Sequence, residues 1–123
     1  MAHQKIDLNP QFLDLVLYAG DGVNLRFTVV DTHNAAVNLT GTHKAQIRAA
    51  RHAADPALAT FGIDATLATT GIMVLSLDSA DTEALVVANA KFKGVWDWQW
   101  TPSGQEPVTI LQGKVECDLD VTH

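Results

Sequence analysis

Cysteine is nearly absent from this sequence of 123 residues: Cys117 stands alone, which excludes an internal disulfide and is typical of a protein made in a reducing cytoplasm. Nor does any segment approach the ~18 consecutive apolar residues of a membrane-spanning helix. The first residues, MAHQKIDLNPQ, lack the apolar core of a secretion signal. We therefore expect no membrane partner.

Basic residues are also scarce. Eight Lys and Arg face 14 Asp and Glu, for a net charge of −6. An acidic balance disfavours binding to a nucleic-acid backbone. Acidic and basic residues balance within residues 1–61, so the whole excess of negative charge lies in residues 62–123. One face or end of the protein is expected to be acidic.

Catalytic motifs are missing as well. The sequence has no G-x-S-x-G elbow, phosphate-binding loop or dinucleotide fingerprint. Its five histidines lack the spacing of metal ligands on a helix. Asp97 with Glu116 or Asp118 is the one carboxylate combination worth weighing, and alternation places these side chains on solvent faces. We predict no catalytic, cofactor or metal site, and no enzyme activity.

Period-two alternation of apolar and polar residues, by contrast, recurs along the chain. It predicts about seven strands, within residues 12–18, 23–31, 42–50, 57–67, 72–77, 94–101 and 108–121. Residues 79–87 carry the one helical signal, with Asp78 or Ser79 as N-cap. We predict an all-β, antiparallel, immunoglobulin-like β-sandwich with one short helix, or a small barrel as the competing architecture. Residues 1–10 are expected to form an N-terminal arm and residues 11–123 a single domain.

The last two strands are expected to form a hairpin. We predict that Thr101 lies opposite Glu106 and Trp96 opposite Leu111, because this register places the apolar residues of both strands on one face. Odd-numbered residues of the second strand are expected to face the core, and Gly113 to mark a bulge or bend.

Trp96, Trp98 and Trp100 alternate on the first strand of this hairpin, either as core residues or as a platform that stacks on sugars. Trp100 lies nearest the tip and is the one predicted at the surface, where it would anchor an interface. Lys44, Arg48 and Arg51 form a candidate basic stripe. Against the acidic half of another copy, this stripe predicts head-to-tail contacts.

A set of short motifs follows one another in a characteristic order. They are residues 18–21 (YAGD), 37–41 (VNLTG), 45–48 (AQIR), 75–77 (LSL), 95–98 (VWDW), 111–115 (LQGKV) and 120–122 (DVT). Over about residues 15–122 this order resembles small phage and prophage structural proteins, and is similar to the N-terminal sandwich domain of phage baseplate upper proteins. The long Ala-rich segment 51–60 and the three tryptophans depart from that pattern.

The resemblance implies a non-enzymatic virion protein, made in the host cytoplasm, that binds other virion proteins of the head, neck or baseplate and copies of itself. An alternative is a carbohydrate-binding module for host surface glycans, which requires exposed tryptophans. A third, sugar-active enzyme, requires a cleft with two facing carboxylates.

Overall fold

Ten strand segments and one α-helix make up the computed structural model, which describes residues 2–7, 11–31, 33–49, 57–86 and 90–119. In chain order the elements are β1 (Ala2–Asp7), β2 (Gln11–Phe12), β3 (Leu15–Tyr18), β4 (Val23–Val30), β5 (Thr42–Arg48), β6 (Ala59–Thr60), β7 (Gly62–Asp64), a 3-10 turn (Ala68–Thr70), β8 (Ile72–Leu77), α1 (Ser79–Leu85), β9 (Phe92–Thr101) and β10 (Val108–Asp118). None of the described helices is long and apolar enough to cross a membrane.

The strands form two sheets with the core between them. One sheet has the order β1-β4-β8-β7, and the other has the order β2-β10-β9-β5-β6, with β3 also paired to β10. Neighbours are antiparallel except that β1 runs parallel to β4, and β2 and β3 run parallel to β10. The predicted all-β sandwich is confirmed, whereas the parallel pairings of β1, β2 and β3 depart from the antiparallel arrangement that was predicted.

Two predicted strands are each divided in the structure. The strand predicted over residues 12–18 becomes β2 and β3, which share one edge of β10. The strand predicted over residues 57–67 becomes β6 and β7, and these pair in different sheets on either side of buried Phe61. Residues 2–7, predicted as part of an arm, form β1 along β4, a pairing that their polar sequence does not reveal.

The predicted register of the β9–β10 hairpin is wrong. Trp96 pairs with Gly113, not with Leu111. The pairing is already displaced by one residue where Trp100 lies opposite Val108, and a shift between Thr109 and Leu111 adds a second residue. Ile110 is the extra residue of this bulge, and it is buried together with Leu111. Beyond the bulge the displacement is two residues, which keeps every side chain on its predicted face.

The odd-numbered positions of β10 therefore face the core as predicted, from Leu111 through Val115 to Cys117. Leu119 lies past the end of the strand and is 39% exposed, which contradicts its predicted inward position. Val121 lies outside the described residues. The bend predicted at Gly113 is also misplaced, since the bulge is at Ile110.

Residues 37–41 close one end of the sandwich. Leu39 is fully buried, as expected of the one large apolar residue among polar neighbours. Gly41 has φ +136°, and a Cβ there would lie 2.4 Å from the Thr101 carbonyl oxygen. Glycine is required because the segment crosses the end of β9 at this close approach.

The helix α1 begins at a capping box. The Asp78 carboxylate accepts a hydrogen bond from the Asp81 amide at 3.0 Å, and the Asp81 carboxylate accepts one from the Asp78 amide at 3.2 Å. The predicted helix and its cap are confirmed, with the last turn ending at Leu85. Val87, the predicted last residue, lies outside the described residues.

Candidate interaction surface

The three tryptophans of β9 belong to the core: Trp96, Trp98 and Trp100 are 2%, 0% and 8% exposed. Each indole N–H has an acceptor, and these are the Leu13 carbonyl at 2.7 Å, His43 Nδ1 at 3.1 Å and the Thr40 carbonyl at 3.1 Å respectively. The prediction of a surface Trp100 is wrong, because residues 37–41 cover the hairpin at that end. The described surface therefore lacks the tryptophan platform that the carbohydrate-binding alternative requires.

His43 is held neutral within this core. Its Nδ1 accepts from the Trp98 indole, which can only donate, and its Nε2 lies 2.7 Å from the Leu39 carbonyl oxygen. Nε2 therefore carries the hydrogen and donates it to Leu39. Burial lowers the pKa of His43, and the bond to the Leu39 carbonyl opposes this with a smaller, raising effect. The ring also stacks on Trp100, with 6.2 Å between centroids.

The basic stripe is only partly present. Lys44 and Arg48 lie on the outer face of β5, and Trp100 lies on the opposite, inner side of the sheet. The structure therefore does not bring Trp100 together with the basic residues. Arg48 is 3.8 Å from the Asp97 carboxylate and also donates to Gln46. Arg51 lies outside the described residues.

The acidic residues of the hairpin are engaged in ion pairs rather than facing one another. Lys91 Nζ lies 3.4 Å from Glu116 and 3.1 Å from Asp118. Asp97 is paired across the sheet with Gln112 and lies beside Arg48. Among the described residues no group of three or more His, Cys, Asp or Glu side chains is arranged to hold a metal ion.

An unpredicted feature stands out at the edge formed by β2 and β3. Phe12, Val16 and Tyr18 are 72%, 58% and 48% exposed, and all three point to the outer face of the sheet. The odd-numbered residues Leu15 and Leu17 of the same segment are buried in the core. We call these three exposed side chains, together with the strands β2 and β3 that carry them, the apolar edge.

The apolar edge has unused hydrogen-bonding capacity. Leu13 and Ala19 donate their amides to the Gln112 and Asp118 carbonyls of β10, both at 2.9 Å. In a parallel ladder alternate residues bond to the same neighbour, so Val16 directs its N–H and C=O away from β10. Within the part of the chain that the structure describes, β3 has no second neighbouring strand. Among the described strands, none occupies this side of β3.

A groove of about 380 Å³ follows the apolar edge, between β3 and the first residues of β4. The turn that joins the two strands is held by buried Thr82 of α1. The Thr82 hydroxyl accepts from the Gly20 amide at 3.1 Å and donates to the Asp21 carbonyl at 2.8 Å. One end of the groove is therefore rigidly attached to the helix.

A sequence signal for this edge exists in residues 12–18, FLDLVLY. Apolar residues occupy both parities, with only Asp14 interrupting the outward set. A half-buried strand alternates, whereas this one is apolar on both faces. Such a run is typical of a central strand, and only the pairing observed in the structure places it at an edge.

The solved structures to which the chain is similar include the N-terminal domain of phage TP901-1 ORF48, with 12% sequence identity and a TM-score of 0.39 over 98% of this chain and 99% of that chain. No family model matches the sequence. No curated protein matches it either. The chain is not assigned to a family on this basis.

Proposed function

We propose that this chain is a non-enzymatic bacteriophage structural protein that binds other virion proteins of the head, neck or baseplate. The observation that carries the proposal is the apolar edge, with Phe12, Val16 and Tyr18 exposed on β2 and β3, which pair with β10 on one side. The site on the molecule best suited to recognition is thus a surface for protein contacts.

An open apolar strand is costly for a free protein. Natural sheets protect their edges with charges, prolines or bulges, because unpaired N–H and C=O groups pair with other chains. Here the side chains beside the open positions are large and apolar, and Asp14 is the single charge among them. Exposed apolar surface of this kind marks contact sites. The edge is explained if a partner covers it.

The phage assignment is supported by the order of short motifs along the sequence. In the structure three of these motifs lie at junctions between elements of the sandwich. Residues 18–21 form the β3–β4 turn, residues 37–41 lead into β5, and residues 75–77 end β8 just before α1. Their resemblance to small phage structural proteins therefore concerns positions with a role in the fold.

A virion also suits a small binding module. Its shell and tail are symmetric, so many copies of one chain bind equivalent positions. Modest affinity at each contact then produces stable attachment through multivalency.

Contacts between copies belong to the same proposal, with Lys44 and Arg48 on one copy against the acidic half of the next. The double change Lys44→Glu and Arg48→Glu is expected to weaken such self-association, and unchanged assembly would contradict it.

The proposal is tested by expressing variants in place of the natural chain during phage growth and measuring its copy number in purified virions. Val16→Lys with Tyr18→Lys is expected to reduce incorporation about tenfold or more, because two apolar contacts are lost. Leu67→Lys is the matched control, since Leu67 is 46% exposed and lies away from the edge. Absence of the natural chain from purified virions would overturn the proposal.

A further inference from the structure

The groove beside the apolar edge lies where the edge strand of one sheet stops and the edge strand of the other sheet continues. The first sheet ends with β1, whose pairing with β4 begins at Ala2 opposite Leu25. Val23 and Asn24 precede that point and pair with β8 on their other side. In the second sheet β3 continues alongside them as the edge strand. The groove thus lies beside Val23 and Asn24 of β4, where β1 does not reach.

The groove has the shape and lining that an extended chain needs. Along β3, Val16 presents a free N–H and C=O to it, as the alternation of the parallel ladder requires. Leu17, Val23 and Leu25 provide an apolar floor. A strand added here places alternate side chains on the floor and beside exposed Val16 and Tyr18. Apolar residues suit both sets of positions.

Carboxylates border this groove. Asp21 lines the groove in the turn that closes one end, and Asp118 lies on the neighbouring strand β10. Among the side chains that the structure describes, Asp21 has no basic group within 4.0 Å. Asp118 is paired with Tyr18 across the strands and is shared with Lys91. The border therefore favours an occupant with positive charge.

A second copy of this chain fits the border poorly. Residues 11–25 contain no Lys or Arg, so a two-fold contact between apolar edges gives Asp21 of neither copy a basic partner from that segment. A different protein with basic residues supplies one.

We propose that the groove binds an extended segment of another virion protein as an added β-strand along β3. The segment is apolar at successive positions and carries Lys or Arg at the end that lies against Asp21 and Asp118. This inference rests on the proposed function and adds the chemistry of the partner. Main-chain hydrogen bonds hold the segment, and charge sets its direction and preference.

The test uses the full chain labelled with ¹⁵N and two capped synthetic peptides, VLVIVKK and VLVIVEE. The basic peptide is expected to bind saturably, to shift the amide signals of Val16 and Tyr18, and to slow hydrogen exchange at Val16. The acidic peptide is expected to bind about fivefold more weakly or less, a preference of the size that exposed ion pairs provide.

Variants locate the contact. Tyr18→Lys is expected to weaken the basic peptide about fivefold or more, and Leu67→Lys to leave its binding unchanged. Asp21→Asn is expected to reduce the preference for the basic peptide about twofold. It leaves in place the Asp21 carbonyl that bonds to Thr82.

Equal binding of the two peptides, signal shifts confined to other strands, or a Val16 amide already protected in a self-associated protein would each overturn the inference. None of these outcomes concerns incorporation into virions. Peptide failure with normal incorporation removes only the inference, whereas peptide binding by a chain absent from virions removes the proposed function.

Discussion

The indole N–H of Trp96 donates a hydrogen bond to the backbone carbonyl of Leu13, 2.7 Å away, across 83 residues of sequence. In a regular parallel ladder that carbonyl would accept from the Lys114 amide. The Asp14 carboxylate takes its place and accepts from the Lys114 amide at 2.9 Å. The break between β2 and β3 is therefore an exchange of hydrogen-bond partners, directly over Gly113.

Removing the indole donor tests this exchange. Trp96→Phe removes the N–H that donates to the Leu13 carbonyl oxygen, and it also reduces the volume of the buried ring. We expect the two losses together to lower the free energy of unfolding by about 2–4 kcal/mol. Chemical denaturation measures this value. A loss below about 0.5 kcal/mol would show that water or a backbone shift replaces the bond.

Gly113 is expected to tolerate no side chain. A Cβ at this position would lie 2.1 Å from the Leu13 carbonyl oxygen, so either the edge strand or β10 must move. Gly113→Ala should lower the melting temperature markedly, with a stability loss of about 2 kcal/mol or more. Gly22→Ala is the matched control, because the nearest atom to its added Cβ is 3.8 Å away. Equal effects of the two substitutions would contradict the close contact.

Stability is expected to fall below about pH 6.5 because of His43. Burial lowers the pKa of the folded protein's His43, so the unfolded chain takes up a proton first as the pH decreases. The contribution of His43 to the unfolding free energy is thus fully present above the pKa that His43 has in the unfolded chain. It is lost progressively as the pH falls toward and through the lower pKa of the folded protein. His43→Gln should flatten the dependence of unfolding free energy on pH between 7 and 5. An unchanged slope would exclude His43 as its source.

Thr82 is expected to be needed for the β3–β4 turn. Thr82→Val keeps the shape of the side chain and removes the hydroxyl that joins the Gly20 amide to the Asp21 carbonyl. We expect a stability loss of about 1–3 kcal/mol, because two partly buried backbone groups lose their partner. Thr66→Val, at an exposed turn, is the comparison and should cost less than about 1 kcal/mol. Amide exchange at Gly20 faster than in the natural chain is the accompanying signature.

Much of the fold was open to prediction because its causes are local. Alternation depends only on neighbouring residues, so the inward faces of β9 and β10 follow from their sequences. The cap of α1 likewise depends on Asp78 and Asp81, three residues apart. The charge balance and the lack of catalytic motifs are also plain from composition. The local features predict the sandwich.

The candidate site was less accessible. Lys44 and Arg48 lie on an outer strand face as expected, yet Trp100 is covered by a segment 60 residues away in sequence, whose Thr40 carbonyl accepts from its indole. The apolar edge escaped prediction because nothing in residues 12–18 says which strand will lack a second neighbour. Edge and centre are properties of the whole sheet.

Two results therefore have different origins. Parity along a strand is encoded residue by residue, since successive side chains point to opposite faces. Register, the bulge at Ile110 and the position of β3 at an open edge arise only when distant strands pack, because they depend on which backbone groups find partners. The chain's sequence encodes a sandwich, and its tertiary packing leaves Phe12, Val16 and Tyr18 exposed at one edge of it.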